Sequence, residues 1–494
     1  MPNVSAPSKV LVTGANGYIG QWIVRRLLEG GYLVRVAVRS ADKGDALVKL
    51  FAEKLPGKEQ NIEVSLVEDI TVEHAYDNAV QGVSAIIHTA SPLTYLVDDP
   101  KDVIDPAVKG TLGLLQSAAE HGKDVKRIVV TSSIKAVLSD KPKTYIEEDW
   151  NDVAVSEIET KGKDARKDYI YDASKTLAEK AAWKLYEENE SKVSWDLTTI
   201  QPGWVYGPTN DDPESPMKLP GTMLLFWHQF FVVRDPAHVM PPAMNYVDVR
   251  DVADMHVQAL QIDKAGGERF ICTSQWCTWQ DWLNTARDLN LLPALDKGDP
   301  AKYPTPSSQR ICSNEKAKKI LGTKFRSFPE TLKDILEQFR PRGWLTTYES
   351  QVCKVAKAIL ALLQRGPSRA RAIIIRRTGA LGWIHSAYIT TTAQRPLSRI
   401  TIPAHQLSST SSFDMSPLAR TSPASLRAAL RCTPKQVRGF GLHPLKEHTA
   451  HHNMPFTYGN RRKFATRYAG AAATFFMIPF IAVGYQLRKS GGAA

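Results

Sequence analysis

The sequence predicts an α/β fold, a doubly wound parallel sheet, and three observations predict it. Short apolar runs of strand length recur through residues 9–201. Between them lie segments whose apolar residues return at helical spacing, the usual way of joining parallel strands. The first run, at residues 9–13 (KVLVT), passes at once into Gly14, Gly17 and Gly20 and then into a helical pattern through Ile23, Val24, Leu27 and Leu28. Strand, tight turn and helix thus follow one another without a linker.

That turn carries the first functional reading. Glycines let the backbone approach a pyrophosphate, whose charge then meets the exposed N–H groups and positive end of the following helix. Gly14, Ala15, Asn16, Gly17, Tyr18, Ile19 and Gly20 are therefore expected to bind a dinucleotide. A second strand, residues 32–38, ends at Arg39, with Lys43 close behind. An acid there would hold an NAD ribose hydroxyl, whereas two cations suit a 2′-phosphate, so the expected cofactor is NADP(H). The third strand, residues 61–67, leads to Asp69 and Ile70, where the adenine would lie. The fourth, residues 85–88, runs into Thr89, Ala90, Ser91 and Pro92, a small-residue turn suited to lining the cofactor.

A helix over residues 105–121 is expected to bury Val108, Leu112, Leu115 and Ala119. The fifth strand, residues 127–131, ends at Ser132 and Ser133, and ligands of such sheets sit at the carboxyl ends of strands. Tyr171 and Lys175, in YDASK, then open a long helix. Their spacing puts both side chains on one face, so the ammonium can lower the phenol pKa and make Tyr171 a proton donor to a carbonyl under reduction. Ser133 would hold the carbonyl oxygen. After a sixth strand, residues 196–201, comes an irregular aromatic stretch with Trp204, Tyr206, Phe226, Trp227, Phe230 and Phe231. These rings are expected to build a small second lobe, with an apolar substrate pocket as the alternative. Residues 246–260 resume as strand and helix, where Asp248 and Asp251 are expected to cap and brace, and residues 328–340 form a last amphipathic helix.

The motifs TGANGYIG, TSS, YDASK, QPGWVYGP and YVDVRDVA resemble the extended short-chain dehydrogenase/reductase family over residues 8–340. Within it, the likeness is to fungal NADPH-dependent aldehyde and ketone reductases of the methylglyoxal reductase type, relatives of plant dihydroflavonol reductases. The resemblance implies a Rossmann sheet with a small C-terminal substrate lobe, and transfer of hydride from NADPH to a small aldehyde or ketone. It also implies a catalytic triad of Ser133, Tyr171 and Lys175, with cofactor contacts at Gly14 to Ile19, Arg39, Lys43, Asp69, Ile70, Pro202 and Val205. One departure stands out: the family's N-V-x-G-T reads AVKGT here, so Ala107 leaves no asparagine at that position to relay a proton. An NAD-dependent nucleotide-sugar epimerase or dehydratase would share the fold and the Tyr/Lys pair, and Arg39 argues against it, since those enzymes offer an acid there.

Charge divides the chain. The whole carries +12, but from Trp344 onward 21 Lys and Arg face only Glu349, Asp414 and Glu447, which leaves residues 1–343 at −6. The high pI belongs to the tail, and nucleic-acid binding is excluded as a reading of the first piece. Five scattered cysteines without histidines at ligand spacing imply neither a disulfide framework nor a metal site, and the N-terminus shows no export signal, so residues 1–343 are expected in the cytoplasm. Residues 344–414 read as a disordered linker, and residues 415–441, rich in Arg and Ser, as a mitochondrial presequence lying inside the chain. Residues 469–487 form an uncharged run flanked by basic residues, expected to span a membrane as one helix. Residues 453–489 resemble the single-span subunit VIIc of cytochrome c oxidase, a structural subunit, which implies the mitochondrial inner membrane and the oxidase subunits as partners. The expectation is a merger of two adjacent genes, a reductase ending near Gly343 and a membrane subunit starting from Met415 with its single-span segment over residues 442–494; a true fusion, a membrane-tethered reductase, is the alternative.

Overall fold

The computed structural model describes residues 4–91, 97–231, 243–292, 298, 301 and 309–345. In chain order it runs β1 (Lys9–Thr13), α1 (Tyr18–Glu29), β2 (Leu33–Val38), α2 (Ala41–Lys54), β3 (Ile62–Leu66), β4 (Ala85–His88), α3 (Lys101–His121) and β5 (Arg127–Thr131). There follow β6 (Lys143–Tyr145), α4 (Asp152–Lys161), α5 (Lys167–Asn189), β7 (Asp196–Pro202), β8 (Trp204–Tyr206), α6 (Gly221–Phe231), β9 (Ala243–Asp248) and α7 (Val249–Gln261). The last elements are β10 (Arg269–Cys272), β11 (Gln275–Thr278), α8 (Trp279–Asp288), β12 (Arg310–Cys312) and α9 (Phe328–Phe339).

Seven strands pair in parallel in the order β10-β7-β5-β4-β1-β2-β3. Because side chains alternate along a strand, each strand feeds two layers. Val10 and Val12 join a core with Ile23, Val24 and Leu27 of α1 and Val252 of α7, while Leu11 joins the opposite core with Leu114 and Leu115 of α3. The chain winds outward from β1 to β3, then crosses back to β4, so the order reverses between β1 and β4 and a crevice opens at their carboxyl ends. The expected doubly wound sheet is thus present.

The helix expected from residue 105 begins a turn earlier, at Lys101, with Pro106 inside it. Its buried face is also rotated: Val103, Ile104, Ala107, Gly110, Thr111, Leu114 and Leu115 are buried, whereas Ala119 is exposed. Small residues mark this face because α3 lies closely on α5, which side-chain size alone does not reveal.

The aromatic stretch is not irregular throughout: residues 221–231 form α6. Tyr206, Phe226, Trp227, Phe230 and Phe231 sit in a second core with Trp279, Trp282 and Phe328, where Tyr206 meets Trp282 edge-on at 5.6 Å and Trp282 lies 4.1 Å from Phe328. These rings build the second lobe, as expected; Trp204 is half-buried beside them. Trp344 closes the same core, its carbonyl accepting from Trp227 Nε1 at 3.2 Å. Asp248 caps α7 by accepting from the Arg250 N–H, and Asp251 accepts from the Arg326 N–H at 2.8 Å, so both acids cap and brace.

At the other end of the sheet, Arg127 and Asp196 form a buried pair at 2.6 Å, with the guanidinium also donating to the carbonyls of Ala259, Ile262 and Asp263. Cys272, Cys277 and Cys312 are buried free thiols, and burial raises the pKa of each. Among the described residues, no helix is long and apolar enough to cross a membrane and no cluster could hold a metal ion. The expected span at residues 469–487, the presequence-like segment and nearly all of the linker lie outside the described residues.

Candidate active site

The glycine turn joins β1 to α1 at the reversal point. Gly14 has φ of +66°, and a Cβ there would stand 2.7 Å from Thr89 Oγ1 and 2.8 Å from the Ala90 nitrogen. A Cβ on Gly20 would stand 2.2 Å from the Gly14 carbonyl oxygen, so only glycine lets α1 pack this closely on the turn. Ala15 is buried, Asn16 and Gly17 are exposed, and Ile19 is half-buried. Gly17 is the N-cap of α1; the helix has no side-chain cap and no acid in its first turn. Its leading N–H groups are therefore left for an anion, and a pyrophosphate fits the cradle. Tyr18 donates its hydroxyl to the Gly207 carbonyl at 2.6 Å, and Trp22 Nε1 donates to the Pro208 carbonyl at 2.8 Å, tying α1 to the second lobe.

Arg39 follows the last residue of β2, and Lys43 lies in the first turn of α2; both side chains are exposed. Among the described residues neither makes an ion pair. Asp69 follows β3 and folds back, its carboxylate accepting from the Thr71 N–H at 2.8 Å and the Thr71 hydroxyl at 2.7 Å, bonds that hold its pKa low. Ile70 packs on α3 where Gly110 leaves room: a Cβ on Gly110 would lie 2.9 Å from Ile70 Cδ1. After β4, the Thr89 hydroxyl donates to the Thr13 carbonyl at 2.7 Å, and the Ala90 N–H donates to Thr13 Oγ1 at 3.2 Å, so the small-residue turn is pinned to the end of β1. Pro202 ends β7, and Val205, buried, lies in β8.

Ser133 follows β5 and caps a short 3-10 turn, accepting from the Lys135 N–H at 3.2 Å. Tyr171 and Lys175 lie in the second and third turns of α5, with Lys175 Nζ 5.7 Å from the centre of the Tyr171 ring. Lys175 is buried and donates to Ser91 Oγ at 2.9 Å, which joins the turn after β4 to α5. Burial lowers the Lys175 pKa to about 8, with the Glu179 charge opposing. Burial also lowers His88 to about 3, so the neighbouring imidazole is neutral at working pH. Strand ends and α5 thus bring the residues expected in the site to one edge of the sheet, with a phenol and a cation side by side.

Sequence reasoning missed the residues that hold this edge together. Thr13 is the hub between β1 and the turn after β4. Glu179 lies a turn beyond Lys175 on α5, buried, and accepts from Ser132, Thr199, Gln201 and Arg269. The signal for Glu179 was present, since its offset from Lys175 repeats that of Lys175 from Tyr171. Lys135 bonds Asp172 at 3.2 Å, linking the serine turn to α5, and burial raises the Asp172 pKa to about 6. At the position of the absent asparagine, Ala107 is buried and its carbonyl accepts from the Thr111 hydroxyl at 2.9 Å.

The sequence profile of the NAD dependent epimerase/dehydratase family matches residues 10–272, and that of cytochrome c oxidase subunit VIIc matches residues 417–489. The NADPH-dependent methylglyoxal reductase of Saccharomyces cerevisiae is 33% identical over 346 residues, 67% of this chain and 97% of the relative. Aldehyde reductase 2 of Sporidiobolus salmonicolor is 34% identical over 342 residues, 67% of this chain and 95% of the relative. The crystal structure of the yeast methylglyoxal/isovaleraldehyde reductase complexed with NADPH is similar with a TM-score of 0.60 at 32% identity, covering 68% of this chain and 99% of that one.

Proposed function

The chain belongs to the NAD dependent epimerase/dehydratase family, and from that premise we propose an NADPH-dependent reductase of small aldehydes or ketones, with Tyr171 as proton donor. The observation that carries this reading is the buried Lys175 ammonium 5.7 Å from the Tyr171 ring, on a helix that the Lys135–Asp172 bond ties to the turn capped by Ser133. Relatives that this segment covers almost completely are named as an NADPH-dependent methylglyoxal reductase and an aldehyde reductase, and the first of these supports NADP(H) as the cofactor.

When bound, NADPH supplies the hydride. Gly14, Gly17 and the first turn of α1 would hold its pyrophosphate, Arg39 and Lys43 its 2′-phosphate, and Asp69 and Ile70 would border the adenine. Thr89, Ala90, Ser91, Pro202 and Val205 would line the remainder. Ser133 donates a hydrogen bond to the substrate oxygen and orients it toward Tyr171. The ammonium favours the phenolate that remains once Tyr171 has given up its proton, so the donor works near neutral pH. Arg39 and Lys43 stand where an epimerase retaining NAD would carry an acid, which disfavours that alternative.

Residues matched by whole relatives form a segment expected to fold alone, so residues 1–345 should oxidise NADPH in the presence of small aldehydes or ketones. Tyr171→Phe should cut turnover by on the order of a hundredfold with little change in NADPH affinity. A folded, NADPH-binding protein that turns over no carbonyl from a broad panel would refute the reading.

For the tail, the match to subunit VIIc supports a separate structural subunit of the mitochondrial inner membrane, joined in sequence to a cytoplasmic reductase. Presequences act at a free N-terminus, which is why the stretch after Met415 suits the start of another protein. Peptide mapping of whole cells tests this: one polypeptide carrying peptides from both parts and from residues 344–414 would overturn it.

A further inference from the structure

Helix α5 carries a buried charge that the reaction above leaves without a role. The Glu179 carboxylate, 2% exposed, accepts from Ser132 Oγ at 2.5 Å, Thr199 Oγ1 at 2.9 Å, Gln201 Nε2 at 2.6 Å and Arg269 Nε at 2.8 Å. Its donors come from the residue after β5, from within β7 and from the start of β10, so one side chain gathers three strands. Ser132 precedes Ser133. Arg269 is fixed in turn, its guanidinium 3.6 Å over the Trp150 ring and donating to the Glu147 and Asp149 carbonyls. A buried carboxylate persists only when paired, and Arg269 is its counter-charge.

Among the described residues, the groups facing Lys175 are few, and Tyr171 is one of them. Glu179 lies one turn away on the same face of α5. His88, at the end of β4, is neutral. The turn after β4 offers the uncharged Ser91, and Lys135, on the turn after β5, is held by Asp172.

We propose that Glu179 is a positioning residue of the reductase, its charge, balanced by Arg269, keeping Lys175 protonated beside Tyr171 while its bond to Ser132 fixes the turn that presents Ser133. This rests on the reading of Ser133, Tyr171 and Lys175 as the catalytic group. The sign of the effect follows. Burial disfavours the ammonium and the Glu179 charge favours it, so removing that charge moves Lys175 deprotonation to lower pH. Removing Arg269 leaves the buried carboxylate without its counter-charge, so it takes up a proton and the Lys175 deprotonation again moves to lower pH.

The test is the pH dependence of kcat for the full chain with NADPH and a carbonyl that the wild type reduces. Glu179→Gln should move the basic limb down by about one pH unit, Arg269→Gln should move it in the same direction, and Glu179→Asp, which keeps the charge, should leave it in place even if kcat falls. KM for NADPH should change by less than about twofold, because neither residue reaches the cofactor turn. A basic limb that stays put in Glu179→Gln, with kcat lowered evenly at every pH, would overturn the proposal, as that is the mark of a purely structural residue. Should Glu179→Gln fail to fold, Arg269→Gln reads the same coupling with the same sign, and an unmoved limb there overturns it equally. A wild-type chain that reduces no carbonyl would instead undo the underlying reading, and is recognised before any variant is made.

Discussion

Replacing Arg39 and Lys43 by glutamine isolates the choice between NADPH and NADH. Both side chains are exposed, and among the described residues neither is tied into an ion pair, so their loss orphans no partner. That differs from Arg35 on the same strand, whose guanidinium is bonded to Glu63 and to the Ala79 and Gln81 carbonyls. The effect of the double change on binding can therefore be assigned to lost contacts with the 2′-phosphate. Each charge-assisted contact corresponds to about a tenfold change in affinity, so NADPH binding should weaken by roughly a hundredfold. NADH, lacking the phosphate, should change by less than about twofold. Exposure adds a second signature: salt screens such contacts, so the wild-type preference for NADPH should shrink between low and high ionic strength and the variant should show no such trend. Calorimetric titration with each reduced cofactor measures both. Equal weakening of NADPH and NADH would refute the reasoning and move the cations to the shared pyrophosphate or to folding.

Gly20→Ala should abolish tight NADPH binding and lower stability by about 1–3 kcal/mol, because its Cβ would stand 2.2 Å from a backbone oxygen that cannot move without the turn; titration and urea unfolding check the two effects. Arg127→Met leaves Asp196 buried without its partner and should lower stability by about 3–5 kcal/mol in urea unfolding, while kcat at saturating substrate stays near wild type, since the pair lies at the opposite end of the sheet. Lys175 has a folded pKa of about 8 against 10.5 when free, so the unfolded chain binds the extra proton between these values and this residue makes stability rise with pH across that window. Subtracting the pH–stability curve of Lys175→Met from that of the wild type should reveal the slope, and a flat difference would refute it.

Much of this was legible because a buried parallel strand announces itself. The runs at β1, β4 and β5 are largely apolar on both faces, and each is followed directly by residues expected in the site. Tyr171 and Lys175 were legible from their offset together with their place after β5. What the sequence concealed lies where size or length erases the pattern. The buried face of α3 is lined by Ala107, Gly110 and Thr111, which no search for large apolar residues would select. Strands β6, β8 and β12 are three residues long, too short to show alternation, and α6 is apolar nearly all round, so its aromatics read as an irregular segment. Glu179 differs: its offset from Lys175 was visible, but a glutamate on a long helix reads as a solvated face until the strands that cover it are in place.

The three buried thiols bear on how long such an enzyme lasts in contact with its substrates. Aldehydes are electrophiles, and the protein nucleophile they meet most readily is an accessible thiolate. Cys272, Cys277 and Cys312 offer none, being shut away from solvent and held protonated by burial. Prolonged exposure to a reactive carbonyl would then have to inactivate the described part of the chain through its amines. Lys175, buried against Ser91 and with its proton affinity already lowered, is the amine whose modification would stop catalysis under the proposed reading. A cofactor seated across that edge would stand between it and the reagent.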